Sequence, residues 1–153
     1  MAIISSATTI ADAGAFSVGL GSMVHIKTLT ASSSSTLSFV DGASSVVLDN
    51  TYPIYLFKFN NIHPSNDNAQ FTFQTSVDSG SNYNTSLTST YFYAFHKEDD
   101  SATAFTYDTS MDQANGTAFQ RLIDAIGNLA DESGCGEMYL FNPSSTTFIK
   151  HYV

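Results

Sequence analysis

Residues 52–77 read YPIYLFKFNNIHPSNDNAQFTFQTSV and carry the clearest structural pattern in the chain. Two apolar runs, 54–59 and 71–77, flank a polar connection made of turn-forming residues. Within each run the apolar side chains alternate with their neighbours, and one face is aromatic: Tyr55, Phe57, Phe59, Phe71 and Phe73. Because successive side chains of a strand point to opposite faces, both runs are predicted to be half-buried strands. Their aromatic faces are expected to seed a core between two sheets.

Further strand patterns lie on both sides of this stretch. They fall at 23–30, at 36–40 and 43–48 around an Asp41-Gly42 hairpin turn, at 88–96, at Phe105 and Tyr107, and in a last hairpin formed by 137–141 and 146–153. Many short strands separated by turn clusters are typical of a sandwich or barrel of antiparallel strands. The predicted fold is all-β, an antiparallel β-sandwich of jelly-roll-like form.

One segment of the chain has a helical pattern. Thr117 and Gln120 match a capping box, in which the two side chains satisfy each other's exposed backbone donors. Apolar residues then recur at helical spacing, at Phe119, Leu122, Ile123 and Ile126, and Gly127 suits the end of a helix. One short helix is therefore predicted here, docked on the sheets because about ten residues are marginal alone.

The chain divides into an N-terminal arm at 1–22 and a single domain at 23–153. The arm is rich in small residues, and we interpret it as lying either on a neighbouring subunit or on its own domain. The last strand pattern is expected to end unpaired, and such a strand aggregates unless something covers it. Assembly contacts are therefore predicted at apolar positions of the arm and of the last strand: Ile3, Ile4, Ile10, Phe16, Ile149, His151 and Val153.

The composition excludes several classes of partner. Charged residues make up only 12% of the chain, against about 25% in an ordinary soluble domain. The net charge is −9, and five scattered Lys and Arg residues form no basic cluster for nucleic acid or an anionic membrane. No signal peptide or membrane span is recognisable, so folding in a cytoplasm is expected. A surface of uncharged polar residues suits either a protein packed against neighbours or a monomeric β-domain.

The sequence contains no recognisable catalytic constellation. Hydrolase, phosphate-binding and metalloprotease motifs are absent, and the lone Cys135, between two glycines, reads as structural. His63 is interpreted as a turn residue. The oxygen-rich clusters at 66–68 and 98–100 lack the spacing of a calcium-binding loop and are predicted to be solvated. We expect no enzymatic activity, no catalytic or metal-binding residues and no cofactor.

Five segments of the chain resemble a recurrent group of virion structural proteins from tailed phages of marine cyanobacteria and other marine bacteria. They are GSMVHIKTLTASSSSTLSFVDG (21–42), YPIYLFKFNNIHP (52–64), SGSNYN (79–84), DQANGTAFQ (112–120) and LFNPSSTTFIKHYV (140–153). The resemblance implies an all-β virion component without catalytic residues. Related proteins continue beyond the segment matching 148–153 by several strands. The missing strands are therefore expected to come from a neighbour, or the sheet to be capped by the shell.

These features favour a capsid decoration or cement protein, located in the virion and assembled in the host cytoplasm. The expected partners are other virion proteins, the major capsid protein foremost, and further copies of the chain. The alternative is a tail fibre or spike component whose β-sandwich binds a carbohydrate receptor. In that case the loop at Tyr83 and the acidic loop at 98–100 would form a shallow site, since the chain has 8 Tyr but no Trp to stack on sugars.

Overall fold

A computed structural model describes residues 3–5, 8–12, 15–16 and 23–153, the first three ranges as backbone strands alone. The described residues form strands and loops, all paired strands are antiparallel, and none of these residues is helical. The strands are β1 (Ile3–Ser5), β2 (Thr8–Asp12), β3 (Ala15–Phe16), β4 (Ile54–Ile62), β5 (Ala69–Phe73), β6 (Phe92–His96), β7 (Thr103–Tyr107), β8 (Gln120–Ile126), β9 (Gly134–Phe141) and β10 (His151–Tyr152). The all-β prediction is confirmed.

The central sheet has the strand order β10-β9-β4. Tyr55 lies opposite Leu140 and Phe57 opposite Met138, and this face of the sheet is the buried one. Ile54 and Lys58 point to the other, exposed face. The alternation predicted for 54–59 is therefore confirmed.

The second sheet, β5-β8, meets the central sheet through aromatic rings. The Phe59 ring of β4 packs edge-on against Phe71 of β5, with centroids 4.9 Å apart. Phe73 makes the same kind of contact with Tyr152 of β10, also at 4.9 Å. The two apolar runs thus lie in different sheets, and their predicted aromatic faces meet. Among residues 23–153 the buried hydrophobic set is small: Val46, Tyr55, Leu87, Ile126, Met138 and Leu140.

The predicted helix at 117–127 is wrong, because this segment contains β8, which pairs with β5. The side-chain Nε2 of Gln74 donates hydrogen bonds to the backbone carbonyls of Thr117 and Ala118, at 3.1 and 3.0 Å. In a helix these carbonyls would accept from backbone amides of the helix itself. Gln120 points into the protein instead of back to a helix cap. Ala125 has a φ of +52° beside a register shift, so apolar spacing that resembles a helix arises here from a bulged strand.

The strands predicted between residues 23 and 48 are also wrong, because residues 23–53 contain no strand. The Asp41-Gly42 turn is present, with Gly42 at a φ of +76° and its amide bonded to the Val46 carbonyl at 3.0 Å. The segment instead reaches the core through side chains: Val46 is buried, and the Phe39 ring packs on Phe57 at 5.5 Å. A serine-rich chain with few apolar anchors gains little from a ladder of its own.

The last strand is paired, which corrects the expectation of a free end. β10 lies antiparallel to β9, and Val153 continues the ladder through two backbone hydrogen bonds with Tyr139, at 2.7 and 3.1 Å. One edge of β10 is thus paired with β9, and its other edge has no neighbouring strand among the described residues. The strand therefore ends as the edge of a sheet rather than as an isolated segment.

The N-terminal strands β1, β2 and β3 form a sheet of their own. Ile3 and Ile4 lie on β1, Ile10 on β2 and Phe16 on β3. The contacts predicted for these four side chains lie outside what the structure describes. So does the position of the arm on its own domain or on a neighbouring subunit.

Candidate interaction surface

The most unusual feature of residues 23–153 is a hairpin with aromatic side chains on both of its open faces. We call the paired strands β6 and β7, with the turn between them, the distal hairpin. Every residue of β6 is exposed, and on β7 only Ala104 is half-buried. Phe105 is 78% exposed and Phe92 is 63% exposed, although side chains of this kind are normally covered. Contiguous apolar surface of this kind is typical of interaction sites.

The rings of the distal hairpin form two separate groups, one on each face. On the first face Phe92 packs edge-on against Phe105, with centroids 5.9 Å apart, and Tyr107 lies opposite Phe92. On the second face Tyr93 and Phe95 stack almost parallel, with an interplanar angle of 18° at 6.1 Å. The Tyr107 hydroxyl donates to the Asp112 carboxylate, and this bond raises the pKa of Tyr107. The rings are therefore held in place before any partner arrives.

A buried polar cluster ties the base of the hairpin to the rest of the protein. Gln120 is only 3% exposed, and its Oε1 accepts a hydrogen bond from the Ser89 hydroxyl at 2.6 Å. Its Nε2 donates to the Met111 carbonyl at 3.3 Å. The Ser89 hydroxyl in turn accepts from the Gln113 amide at 2.9 Å. Because buried polar groups are costly unless bonded, this cluster fixes where the hairpin leaves the sheets.

The turn at the tip of the hairpin carries the acidic run of the sequence. His96 Nε2 lies 3.1 Å from the Asp100 carboxylate, and both side chains are mostly exposed. The hydroxyl and amide of Ser101 hold the pKa of Asp99 below its ordinary value. Residues 23–153 contain no group of three or more His, Cys, Asp or Glu side chains arranged to hold a metal ion. The tip is thus a compact polar turn with surplus negative charge.

The outer face of the central sheet is a second exposed apolar surface. Tyr139 and Phe141 stack there at 6.4 Å, beside Ile54, which is half exposed. The pairing of β10 with β9 places His151 and Val153 on this same face. Two of the predicted contact residues are therefore together, whereas Ile149 is exposed in the loop before β10.

The loop at Tyr83, proposed above as part of a sugar site, is braced from within. The Asp78 carboxylate accepts hydrogen bonds from the Ser76 hydroxyl at 2.6 Å and from Asn82 at 2.7 and 2.8 Å. These bonds lower the pKa of Asp78 to about 2. No hydrogen bond or ring contact within residues 23–153 joins Tyr83 to the acidic tip.

The two other singled-out residues brace neighbouring segments. Cys135 Sγ accepts a hydrogen bond from the Asn61 amide at 3.4 Å, and His63 Nδ1 lies 2.7 Å from the Glu132 carbonyl. Both contacts join the end of β4 to the region around β9, so their interpretation as structural residues fits the geometry.

The aromatic residues of the distal hairpin are recognisable in the sequence as strand patterns but not as an exposed surface. Their alternation predicts a half-buried strand, and nothing in the pattern distinguishes a covered face from an open one. A local signal was available in the acidic turn that separates two short aromatic runs, since a hairpin of only two strands cannot bury both of its faces.

Comparisons with protein-family models, curated proteins and solved structures find no match to the chain. Among the described residues there is no helix long and apolar enough to cross a membrane.

Proposed function

We propose that the protein is a non-enzymatic virion structural protein that decorates the capsid and stabilises the shell through contacts between subunits. The observation that carries the proposal is the distal hairpin, whose aromatic rings are ordered yet uncovered on both faces. A surface of this kind gains free energy only when another molecule covers it. The resemblance to phage virion proteins supports a capsid as that molecule.

The distribution of burial supports an assembly role. No side chain among residues 23–153 is more than 98% buried, so the free energy from the core is small for a chain of this length. If another molecule covered the outer face of the central sheet and the distal hairpin, this burial would add the hydrophobic free energy that the isolated core lacks. In this view the sheets form the two layers of a jelly-roll-like β-sandwich whose open edges, at β4 and β10, are completed by neighbours.

The test is co-sedimentation of the purified protein with empty shells of the phage that encodes it, followed by immunogold labelling of intact particles. The protein is expected to sediment with the shells and to label their surface. Phe105→Ser should weaken binding by about tenfold or more, since interface aromatics act as anchors. Phe148→Ser removes an equally exposed ring from outside the hairpin and should leave binding unchanged. A wild-type protein that stays in the supernatant contradicts the proposal.

A second candidate function is carbohydrate binding by a tail fibre or spike, which one specific observation favours. Tyr93 and Phe95 present nearly parallel rings next to the polar tip residues Lys97 and Glu98, and sugars stack on aromatic faces beside hydrogen-bonding groups. Binding to a host-polysaccharide array, measured with and without chelator, separates the candidates. Loss of array binding in Phe95→Ser would favour the sugar site, and no binding by the wild type leaves the structural role.

A further inference from the structure

We propose that the distal hairpin pairs with the hairpin of a second copy, strand β6 against strand β6, about a twofold axis at Ala94. This pairing deepens the proposed function and rests on it, because the paired hairpins are taken to act on the capsid. It names the partner of the hairpin's edge and leaves the aromatic faces for the shell.

Within residues 23–153 no strand pairs with the outer edge of β6, so the backbone hydrogen-bonding groups along this edge are unused there. At the base of the hairpin the Asp108 amide donates to the Tyr91 carbonyl at 2.9 Å, and at the tip the Lys97 amide donates to Ala102 at 2.9 Å. Bonded and non-bonded pairs alternate in an antiparallel ladder, so the odd-numbered residues of β6 face β7. The N–H and C=O groups of the even-numbered residues, Phe92, Ala94 and His96, therefore point away from the hairpin.

A twofold axis at Ala94 satisfies these groups. It places Ala94 opposite its own copy and Phe92 opposite His96 of the partner subunit, and each outward donor meets an acceptor. The small Ala94 side chain meets its own copy across the axis without crowding, at the roughly 4.8 Å strand spacing of a normal ladder. A two-stranded hairpin is marginal alone, whereas four strands, β7-β6-β6-β7, form a sheet of normal size.

Charge distinguishes the β6 edge from the β7 edge. Residues 86–97 contain no carboxylate, whereas the β7 side carries Asp99 and Asp100 at the tip and Asp108 and Asp112 at the base. An antiparallel pair brings the tip of one copy to the base of the other. Pairing through β7 would therefore set carboxylates against carboxylates, but pairing through β6 sets the acidic tip against uncharged residues. The two tips then lie roughly 30 Å apart at about 3.3 Å per residue, well beyond the Debye length.

The pairing also enlarges the face that carries Phe92, Phe105 and Tyr107. These three rings leave about 400 Å2 open on one hairpin if a free aromatic side chain offers about 200 Å2. Two copies in one sheet present about 800 Å2 on this face, which matches the roughly 800 Å2 that each partner of a stable interface buries. A single hairpin falls short of that area.

The test compares Ala94→Asp with Thr103→Asp by sedimentation velocity over a concentration series of the full chain. Both residues are exposed and lie on the same face of the hairpin, but Thr103 is on the opposite edge. The wild type is expected to show a concentration-dependent dimer. Ala94→Asp sets two carboxylates opposite each other and should raise the dimer dissociation constant by about tenfold or more, while Thr103→Asp changes it by less than about threefold.

A second measurement reports the register directly. In a Cys135→Ser background, Ala94→Cys should form a covalent dimer on mild oxidation, because a bonded antiparallel pair has its Cα atoms about 5.5 Å apart, within disulfide reach. Thr103→Cys should not. A wild type that is monomeric at all concentrations, or equal behaviour of the two edges in both measurements, overturns the inference. A monomer that still binds shells contradicts the pairing but not the proposed function. A dimer that does not bind shells contradicts the proposed function but not the pairing.

Discussion

Gln120 is the one buried polar side chain among residues 23–153, and it lies at the base of the hairpin. Its Oε1 accepts from Ser89, and its Nε2 donates to the Met111 carbonyl, so it joins the base of the hairpin to β8. The hydrophobic substitution Gln120→Leu keeps the volume but leaves those buried partners unsatisfied. We expect it to lower the free energy of unfolding by about 2–3 kcal/mol.

The measurement for Gln120→Leu is the midpoint of urea unfolding, with Gln70→Leu as the matched control. Gln70 is exposed on β5, and its side chain makes none of the hydrogen bonds found in residues 23–153. Its replacement should change the free energy by less than about 0.5 kcal/mol. Equal midpoints for the two variants would contradict the role given to the buried cluster.

The lowered pKa of Asp78 predicts how the free energy of unfolding changes at acid pH. Hydrogen bonds from Ser76 and Asn82 lower its pKa in the folded state to about 2, from an ordinary value of 3.8. A depressed carboxyl pKa stabilises the fold above the unfolded value, and this contribution is lost as the pH falls from 3.8 through about 2. Asp78→Asn should therefore show a shallower loss of stability than the wild type between those two pH values.

The measurement for Asp78 compares the urea midpoints of the wild type and of Asp78→Asn at several pH values from 5 down to about 2. The curves should run nearly parallel at pH 5 and differ increasingly in slope as the pH falls through 3.8 towards about 2. Since other acidic residues titrate alike in both proteins, the difference isolates this loop. Parallel curves would show that the loop bonds do not persist in solution.

At the scale of elements, the strands with strict alternation were predictable and the irregular ones were not. β4 and β9 follow a period of two, and the sheet covers one of their faces, so their pattern is unambiguous. β8 was missed because its apolar residues stand at helical spacing, whereas its pairing with β5 and the bonds from Gln74 to the residues before it are long-range. Sequence pattern carries no information about such distant partners.

The candidate surface was predictable to a similar, limited extent. The aromatic run at 88–96 predicts a strand, and β6 lies within this run in the structure. Whether a third strand or a second sheet covers that strand is a property of the whole topology. For the same reason His151 and Val153 were predicted as contacts from a chain end expected to be free, whereas they lie on the outer face of a paired strand.

The distal hairpin and the core should respond differently to loss of a ring. Phe105 touches mainly Phe92 and is largely exposed, so Phe105→Ser should lower the free energy of unfolding by less than about 1 kcal/mol. Phe71 packs on Phe59 between the two sheets, and Phe71→Ser should cost about 3 kcal/mol or more. Urea unfolding of both variants measures the contrast. A large loss for Phe105→Ser would mean that the hairpin is part of the core.

For the molecule as a whole, a small core beside a large uncovered surface predicts uneven protection of backbone amides. In the isolated protein, amides in the β4-β9 ladder should exchange with deuterium most slowly, since these strands line the buried face. The outward amides of Phe92, Ala94 and His96 should exchange fast at low protein concentration. Addition of empty shells should slow the hairpin amides and leave the tip residues 98–100 fast.

Assembly should also raise the stability of the entire chain, because a partner that binds only the folded state shifts the equilibrium by mass action. At a shell-site concentration of about 100 times the dissociation constant, the gain is about 2.7 kcal/mol. Exchange measured by mass spectrometry with and without shells tests both effects. Phe148→Ser, which leaves the hairpin intact, should keep the full gain, and Phe105→Ser should lower it to about 1.4 kcal/mol or less if its binding is about tenfold weaker. Protection confined to residues far from the hairpin would locate the contact elsewhere.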